Sequence, residues 1–223
     1  MSSHLSANFQ GMIIPSRRSF QTLITAAIFA LTWSERSVAA DTLPLDAKSS
    51  KLTFVGDSFL HSFHGEAKEF TGSAVVDANA TPPVQKATLD FKTAALTTFH
   101  KGRDEKMLEW LKITAHPDAT FALESVKLVG GDPRKADALH PAKFAVAGTL
   151  TLNGVKQATG GAALGWREKD RLIVAGDTEI DTLKHGLPQI REAFMTVATN
   201  VKVTYRFSFV LPPEYALPSS QEK

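Results

Sequence analysis

The sequence predicts an all-β chain with short helical insertions, folded as an antiparallel barrel or sandwich, and three observations lead there. Apolar and polar side chains alternate with a period of two in about eight separate segments. Two of these segments are joined by Asn153-Gly154, the residue pair that supplies both φ > 0 positions of a type I′ hairpin turn. Strand patterns nowhere alternate with long helical ones, so a parallel sheet is not expected.

Residues 1–40 read as an export signal. Arg17-Arg18 form a positive start, Leu23 to Trp33 is a short apolar run, and Val38-Ala39-Ala40 offers small residues for cleavage before Asp41. Ser16-Arg17-Arg18-Ser19-Phe20 also resembles the twin-arginine export motif. Of 25 basic and 23 acidic residues in the whole chain, Arg17, Arg18, Arg36 and Glu35 fall in this segment, which leaves 22 of each and a formal charge of zero. Such a chain has no field to attract nucleic acid or an anionic bilayer. The absence of Cys excludes disulfides, thiol chemistry, c-type haem attachment and a lipidated N-terminal Cys. A soluble periplasmic product with no membrane span and no lipid anchor is therefore expected. Residues 41–211 are expected as a single domain and 212–223 as a disordered tail.

Within that domain, Leu52 to Asp57 and about Ser58 to Glu66 read as two strands, and Gly72 to Asp77 as a third. Asn79 to Pro83 is a loop, because its two prolines cannot donate to a ladder. Leu89 and Phe91 alternate with Thr88, Asp90 and Lys92 in the next strand. From Gly102 to Leu111 the period changes: Met107, Leu108 and Leu111 share a helical face, and Asp104 suits the positive end of the helix dipole. Phe121 and Leu123 return to strand spacing, and a Gly- and Pro-containing loop from Gly130 to Pro141 follows. Phe144, Val146, Leu150 and Leu152 then share one parity, opposite Lys143, Thr149 and Thr151. Beyond the turn come a Gly- and Ala-rich strand from Val155 to Trp166 and another through Leu172 and Val174 to Ile180. His185-Gly186-Leu187-Pro188 breaks the sheet, and Pro188 is expected in the first turn of a short helix through Phe194. The last strand places Val201, Val203, Tyr205, Phe207 and Phe209 on one side.

Several segments, in their order, resemble the YceI-like proteins, exported lipid-binding barrels of lipocalin-like form. They are His64-Gly65-Glu66-Ala67-Lys68-Glu69-Phe70-Thr71-Gly72, Arg103-Asp104 leading to Met107 and Leu111, His116-Pro117-Asp118-Ala119-Thr120-Phe121, and Gly148 through Val155. The resemblance covers most of residues 46–210 and implies an eight-stranded antiparallel lipocalin-like β-barrel whose cavity takes a long isoprenoid or fatty chain. It implies no enzyme and no cofactor beyond a bound lipid. The chain departs from the family pattern at Ala67, where an aromatic is common, and across Thr182 to His185.

The inward parity of each strand nominates the cavity wall: Phe54, Leu89, Phe91, Phe121, Leu123, Phe144, Val146, Leu150, Leu172, Val174, Val203, Tyr205 and Phe207. Burying one CH2 is worth roughly 0.8 kcal/mol, so an isoprene unit contributes roughly 3 kcal/mol. Association costs about 4 to 15 kcal/mol, so several units are needed. Arg103 and Lys184, on the helix and a loop, are candidates for an anionic head group. His61 and His64 fall on opposite strand faces and cannot share a metal ion, while His100, His116 and His185 are expected at loops or rims. Neither a nucleophile elbow with a Ser-His-Asp order nor a phosphate-cradling glycine loop occurs. The expected function is an exported carrier or sequestering protein for a quinone or prenyl phosphate. The alternatives are a ligand-free barrel acting on an envelope protein partner or in envelope stress, and a cavity enzyme.

Overall fold

The computed structural model describes residues 40–58, 61–77, 80–192 and 195–212. Apart from one boundary residue each, the expected export signal and tail lie outside the described residues, as do Asn79 and Phe194. The chain forms β1 (Asp41–Pro44), β2 (Lys51–Asp57), β3 (Ser62–Ala67), β4 (Phe70–Val76), β5 (Val84–Lys92) and β6 (Leu96–Thr97). Helix α1 (Lys101–Trp110) follows, then β7 (Asp118–Gly130), β8 (Ala142–Leu152), β9 (Val155–Glu168) and β10 (Arg171–Asp181). A short β11 (Arg191–Glu192) and β12 (Met195–Thr196) precede the long β13 (Asn200–Val210).

Eleven strands make one strongly curled antiparallel sheet in the order β1, β4, β5, β7, β8, β9, β10, β13, β2, β3, β6. The fold is thus all-β with one α-helix, and sequence periodicity undercounts its strands. Segment β1 escapes notice because only Leu43 of its four residues is buried and Pro44 ends it. The two residues of β6 are too few to show a period. Between Ala67 and Phe70 the chain breaks at Lys68-Glu69, so that β3 pairs with β2 while β4 pairs with β5. Register shifts between Leu123 and Ser125 and between Leu128 and Gly130 bend β7 against β8, helping the sheet to curl.

The hairpin is built as its residues require. Leu152 pairs with Val155, and the intervening Asn153 and Gly154 have φ values of 51° and 72°. Further on, the expected helix from Pro188 does not form. The 3-10 turn Thr182–His185 ends at Gly186, whose φ of 70° takes the chain out of helical geometry. Leu187 is then buried at 1% exposure, and the Pro188 carbonyl accepts a hydrogen bond from Trp110 Nε1 at 2.7 Å. Arg191–Glu192 accordingly pairs as strand with Met195–Thr196.

Three apolar clusters are spread along the strands rather than filling one solid core. One joins Leu111, Ala119, Leu150, Leu152 and Leu187 beneath α1, and a second joins Leu52, Ala67, Phe70 and Leu89. The third joins Leu43, Ala74, Val76 and Phe209 toward the far end of the strands.

Candidate functional site

The inner face of the sheet surrounds a cavity of about 1340 Å³, beyond the roughly 300 to 1,000 Å³ usual for small-molecule pockets. All thirteen side chains nominated from strand parity border it. Phe54 comes from β2, Leu89 and Phe91 from β5, and Phe121 and Leu123 from β7. Phe144, Val146 and Leu150 come from β8, Leu172 and Val174 from β10, and Val203, Tyr205 and Phe207 from β13. An antiparallel strand buries alternate residues, so once one face is assigned the rest follow.

So many aromatic rings leave room in the lumen because several lie against glycines of the neighbouring strand. A Cβ on Gly176 would fall 2.6 Å from the Tyr205 hydroxyl, and one on Gly165 would fall 2.9 Å from Cε2 of Phe144. The missing side chains are the space these rings occupy. Tyr205 also stacks on Phe207 with centroids 5.1 Å apart. Ala67, at the family's aromatic position, is buried and borders the cavity, adding volume there. Burial pushes the Tyr205 hydroxyl pKa up, and the nearby negative charge of Asp177 adds to this. That hydroxyl has no hydrogen-bond partner among the described residues.

The two ends of the cavity differ. At one end Met107, Trp110 and Leu111 of the α1 segment border it together with Leu187. The helix is fastened through Asp104, whose carboxylate accepts from Thr97 Oγ1 at 2.7 Å, from the Thr98 amide at 2.7 Å and from Thr98 Oγ1. Burial raises the Asp104 pKa, but these hydrogen bonds together outweigh it and hold the carboxyl below its ordinary value. At the other end the borders are Thr81 to Val84, Gly131 to Asp137, Arg167, Lys169, Asp170 and Leu211.

Neither proposed head-group cation borders the cavity. Arg103 donates from Nε to Thr98 Oγ1 at 2.7 Å and from Nη2 to the Thr98 carbonyl at 2.8 Å, and its guanidinium lies 5.1 Å from the Phe63 ring centroid. Lys184 borders a separate, smaller depression of about 290 Å³ with Glu179, Asp181 and Asn200. His185, expected at a rim, is instead 2% exposed, with Nδ1 3.1 Å from the Val155 carbonyl. Its neighbour Asn153 donates from Nδ2 to the His185 carbonyl at 2.9 Å, so the hairpin and the 3-10 turn are tied together. Sequence reasoning passed over Met107, Trp110 and Leu187 as wall residues, although the helical spacing of Met107 and Leu111 already marked an apolar face.

A family model of the YceI-like domain matches residues 43–209. The chain belongs to the YceI-like family. A UPF0312 protein of Azotobacter vinelandii is 34% identical to this YceI-like chain over 107 residues, covering 47% of it and 48% of the relative. One from Pseudomonas putida strain F1 is 36% identical over the same length and shares. The chain thus aligns over about half the length of the curated relatives it matches. Among solved structures, Burkholderia cenocepacia BcnA superposes with a TM-score of 0.63 at 18% identity, covering 74% of this chain and 98% of that one. A polyisoprenoid binding domain from Saccharophagus degradans, implicated in plant cell wall breakdown, gives 0.59 at 16% identity over 78% and 99%. At such identities the likeness is one of fold. No helix among the described residues of the YceI-like chain is long and apolar enough to cross a membrane.

Proposed function

We propose that this protein is an exported, periplasmic, non-enzymatic carrier or sequestering protein that holds a long isoprenoid chain, as of a quinone or prenyl phosphate, inside the cavity. The observation that carries this reading is the size of the cavity together with the apolar character of its strand walls. Water in such a lumen finds few hydrogen-bond partners, and an inserted hydrocarbon chain gains roughly 25 cal/mol per Å² of surface withdrawn from water. A chain of several isoprene units collects enough of this to outweigh the cost of association, while a single unit does not. An eight-membered lipocalin-like wall would correspond to Ser62–Val76 taken as one bent stave with the short end strands β1 and β6 set aside. The polyisoprenoid binding named for the Saccharophagus degradans domain supports the same ligand class.

The test is extraction of the natively purified protein with organic solvent and mass spectrometry of the extract. Close to one polyprenyl lipid per chain is expected. Protein purified from a lipid-producing host with no stoichiometric lipid, and unable to take one up from vesicles, would sink the carrier reading.

A further inference from the structure

We propose that the lipid chain enters and leaves the cavity sideways, through a slot in the wall between residues 84–87 of β5 and 123–130 of β7. This rests on the lipid-carrier reading and adds to it the route of exchange. Strands β5 and β7 pair only from Thr88 with Ala122 to Lys92 with Asp118. Beyond Thr88 and Ala122 each goes on pairing with its other neighbour, β5 with β4 as far as Val84 and β7 with β8 as far as Gly130. The register shift between Leu123 and Ser125 bends β7 where its pairing with β5 has just ended. Over that length the facing edges have no strand partner, and among the described residues no hydrogen bond joins the two stretches. Backbone groups so placed must reach water, since buried and unpaired ones are too costly to keep. The slot thus connects solvent with the lumen, and Val84, Ala87, Leu123, Val126 and Leu128 of its two lips border the cavity.

A second interruption of the wall lies between β9 and β10, which pair only from Ala163 with Gly176 to Glu168 with Arg171. That seam is fastened by side chains. Thr178 Oγ1 donates to the Gly160 carbonyl at 2.9 Å, the hydroxyls of Thr159 and Thr178 lie 3.2 Å apart, and Gln157 Nε2 donates to the Lys184 carbonyl at 2.8 Å. Parting the seam would break these bonds, each at a net cost, whereas parting the lips of the slot breaks none. The charged end is the other way out. There a hydrocarbon chain would slide past Arg134, Arg167, Lys169 and Asp170 and strip water from them. In the slot it slides past valine, alanine and leucine side chains, the same kind of surface that holds it inside.

The chain contains no cysteine, so a pair introduced across the slot is the sole target for a thiol-reactive linker. Lys86 and Ser125 are exposed residues on the two lips. In Lys86→Cys/Ser125→Cys a bismaleimide with an internal disulfide ties the lips together. The control, Asp90→Cys/Thr120→Cys, carries the same linker where the strands are already paired. The readout is transfer of solanesol, a neutral long-chain polyprenol, between phosphatidylcholine vesicles and the full protein, followed by mass spectrometry of the re-isolated protein. Linking the lips is expected to slow uptake and release about tenfold. Affinity stays the same, because one route serves both directions. Cleaving the linker with a reductant restores the parent rate, and the linked control exchanges at the parent rate throughout. An unaltered rate in the linked protein overturns the lateral route alone, as does a slowing that the control shares or that cleavage does not reverse. Failure of the parent protein to take up solanesol overturns the carrier reading and this proposal together.

Discussion

At the α1 end the cavity stops against Leu111 and Leu187, which sit in a buried cluster with Leu150 and Leu152, while at the other end it is bordered by Asp132, Arg134, Arg167 and Lys169. The first end is held by contacts between residues distant in sequence. Trp110 reaches the Pro188 carbonyl, and Asn153 reaches the His185 carbonyl. The second has two long-range backbone bonds, Arg167 to Ala136 and Leu211 to Asp170, but its loop is shaped by short-range turns in which Asp132 and Asp137 accept amides two or three residues ahead. Opening the first end would expose packed apolar surface and break hydrogen bonds, whereas opening the second would expose less apolar surface. The same sheet therefore carries an apolar, tightly packed end and a charged end whose loop is held mostly by its own turns.

Substituting leucine at each end should give the widest separation. Leu187→Ala removes a side chain that is 1% exposed and packed under α1, and should cost about 3 kcal/mol in urea unfolding. Leu139→Ala, in the loop before β8 and 85% exposed, should shift stability by less than about 0.5 kcal/mol. Equal costs at the two sites would break the contrast.

The fastening of α1 comes next in size. Asp104→Ala should cost about 2 kcal/mol, since it strands the Thr98 amide and the hydroxyls of Thr97 and Thr98. Because the folded-state pKa of Asp104 lies below the ordinary carboxyl value of 3.8, its contribution is complete above that pH and is lost as pH falls through the folded value. The gap between the parent protein and Asp104→Ala should therefore be constant at neutral pH and close in acid titrations below about pH 3.8. A gap that persisted in strong acid would assign the cost to lost packing.

A smaller effect should come from the wall between the ends. In Gly176→Ala the new methyl would meet the Ala162 carbonyl oxygen at 2.6 Å and the Tyr205 hydroxyl at 2.6 Å. The backbone oxygen cannot swing aside as a side chain can, so a net loss of about 1 kcal/mol is expected, the strain being partly offset by the lower unfolded-chain entropy of alanine. Stabilisation by this substitution would show that both the β9 backbone at Ala162 and the Tyr205 ring give way to the methyl group.

The same division between local and distant contacts decides how much of the molecule could be read beforehand. Strand parity is local, so the hairpin at Asn153-Gly154, the inward row of β13 and the wall from Phe54 to Phe207 were legible. The helix was legible for the same reason, with Lys101–Trp110 observed against Gly102–Leu111 expected. What depended on partners far along the chain was not. Pro188 has the local chemistry of a helix start, yet Trp110 takes its carbonyl. His185 lies in a segment that reads as an exposed break, yet the β9 strand covers it. Arg103 and Lys184 sit in insertions that could border an opening, and only the fold reveals that the cavity's charged border comes instead from the loop before β8 and from the end of β9 with the turn after it.

The smallest expected effect belongs to Tyr205→Phe, which lies between the two ends and separates the cost of burying a hydroxyl from the value of using it. The ring stacks on Phe207 and covers Gly176, and phenylalanine keeps both contacts. The hydroxyl has no hydrogen bond to lose among the described residues, so at neutral pH stability should change by no more than about 0.5 kcal/mol, in the stabilising direction. The raised pKa gives the sign at alkaline pH. Burial, with Asp177 adding to it, favours the neutral phenol in the folded chain, so this contribution is complete below the unfolded value of 10.0 and is lost as pH rises through the folded one. Unfolding free energies of the parent and of Tyr205→Phe should therefore run parallel up to about pH 10 and diverge above it, the phenylalanine protein falling less. A clear loss of stability at pH 7 would mean that the hydroxyl is held by a bound water, and the lumen at that level would then be wet rather than apolar.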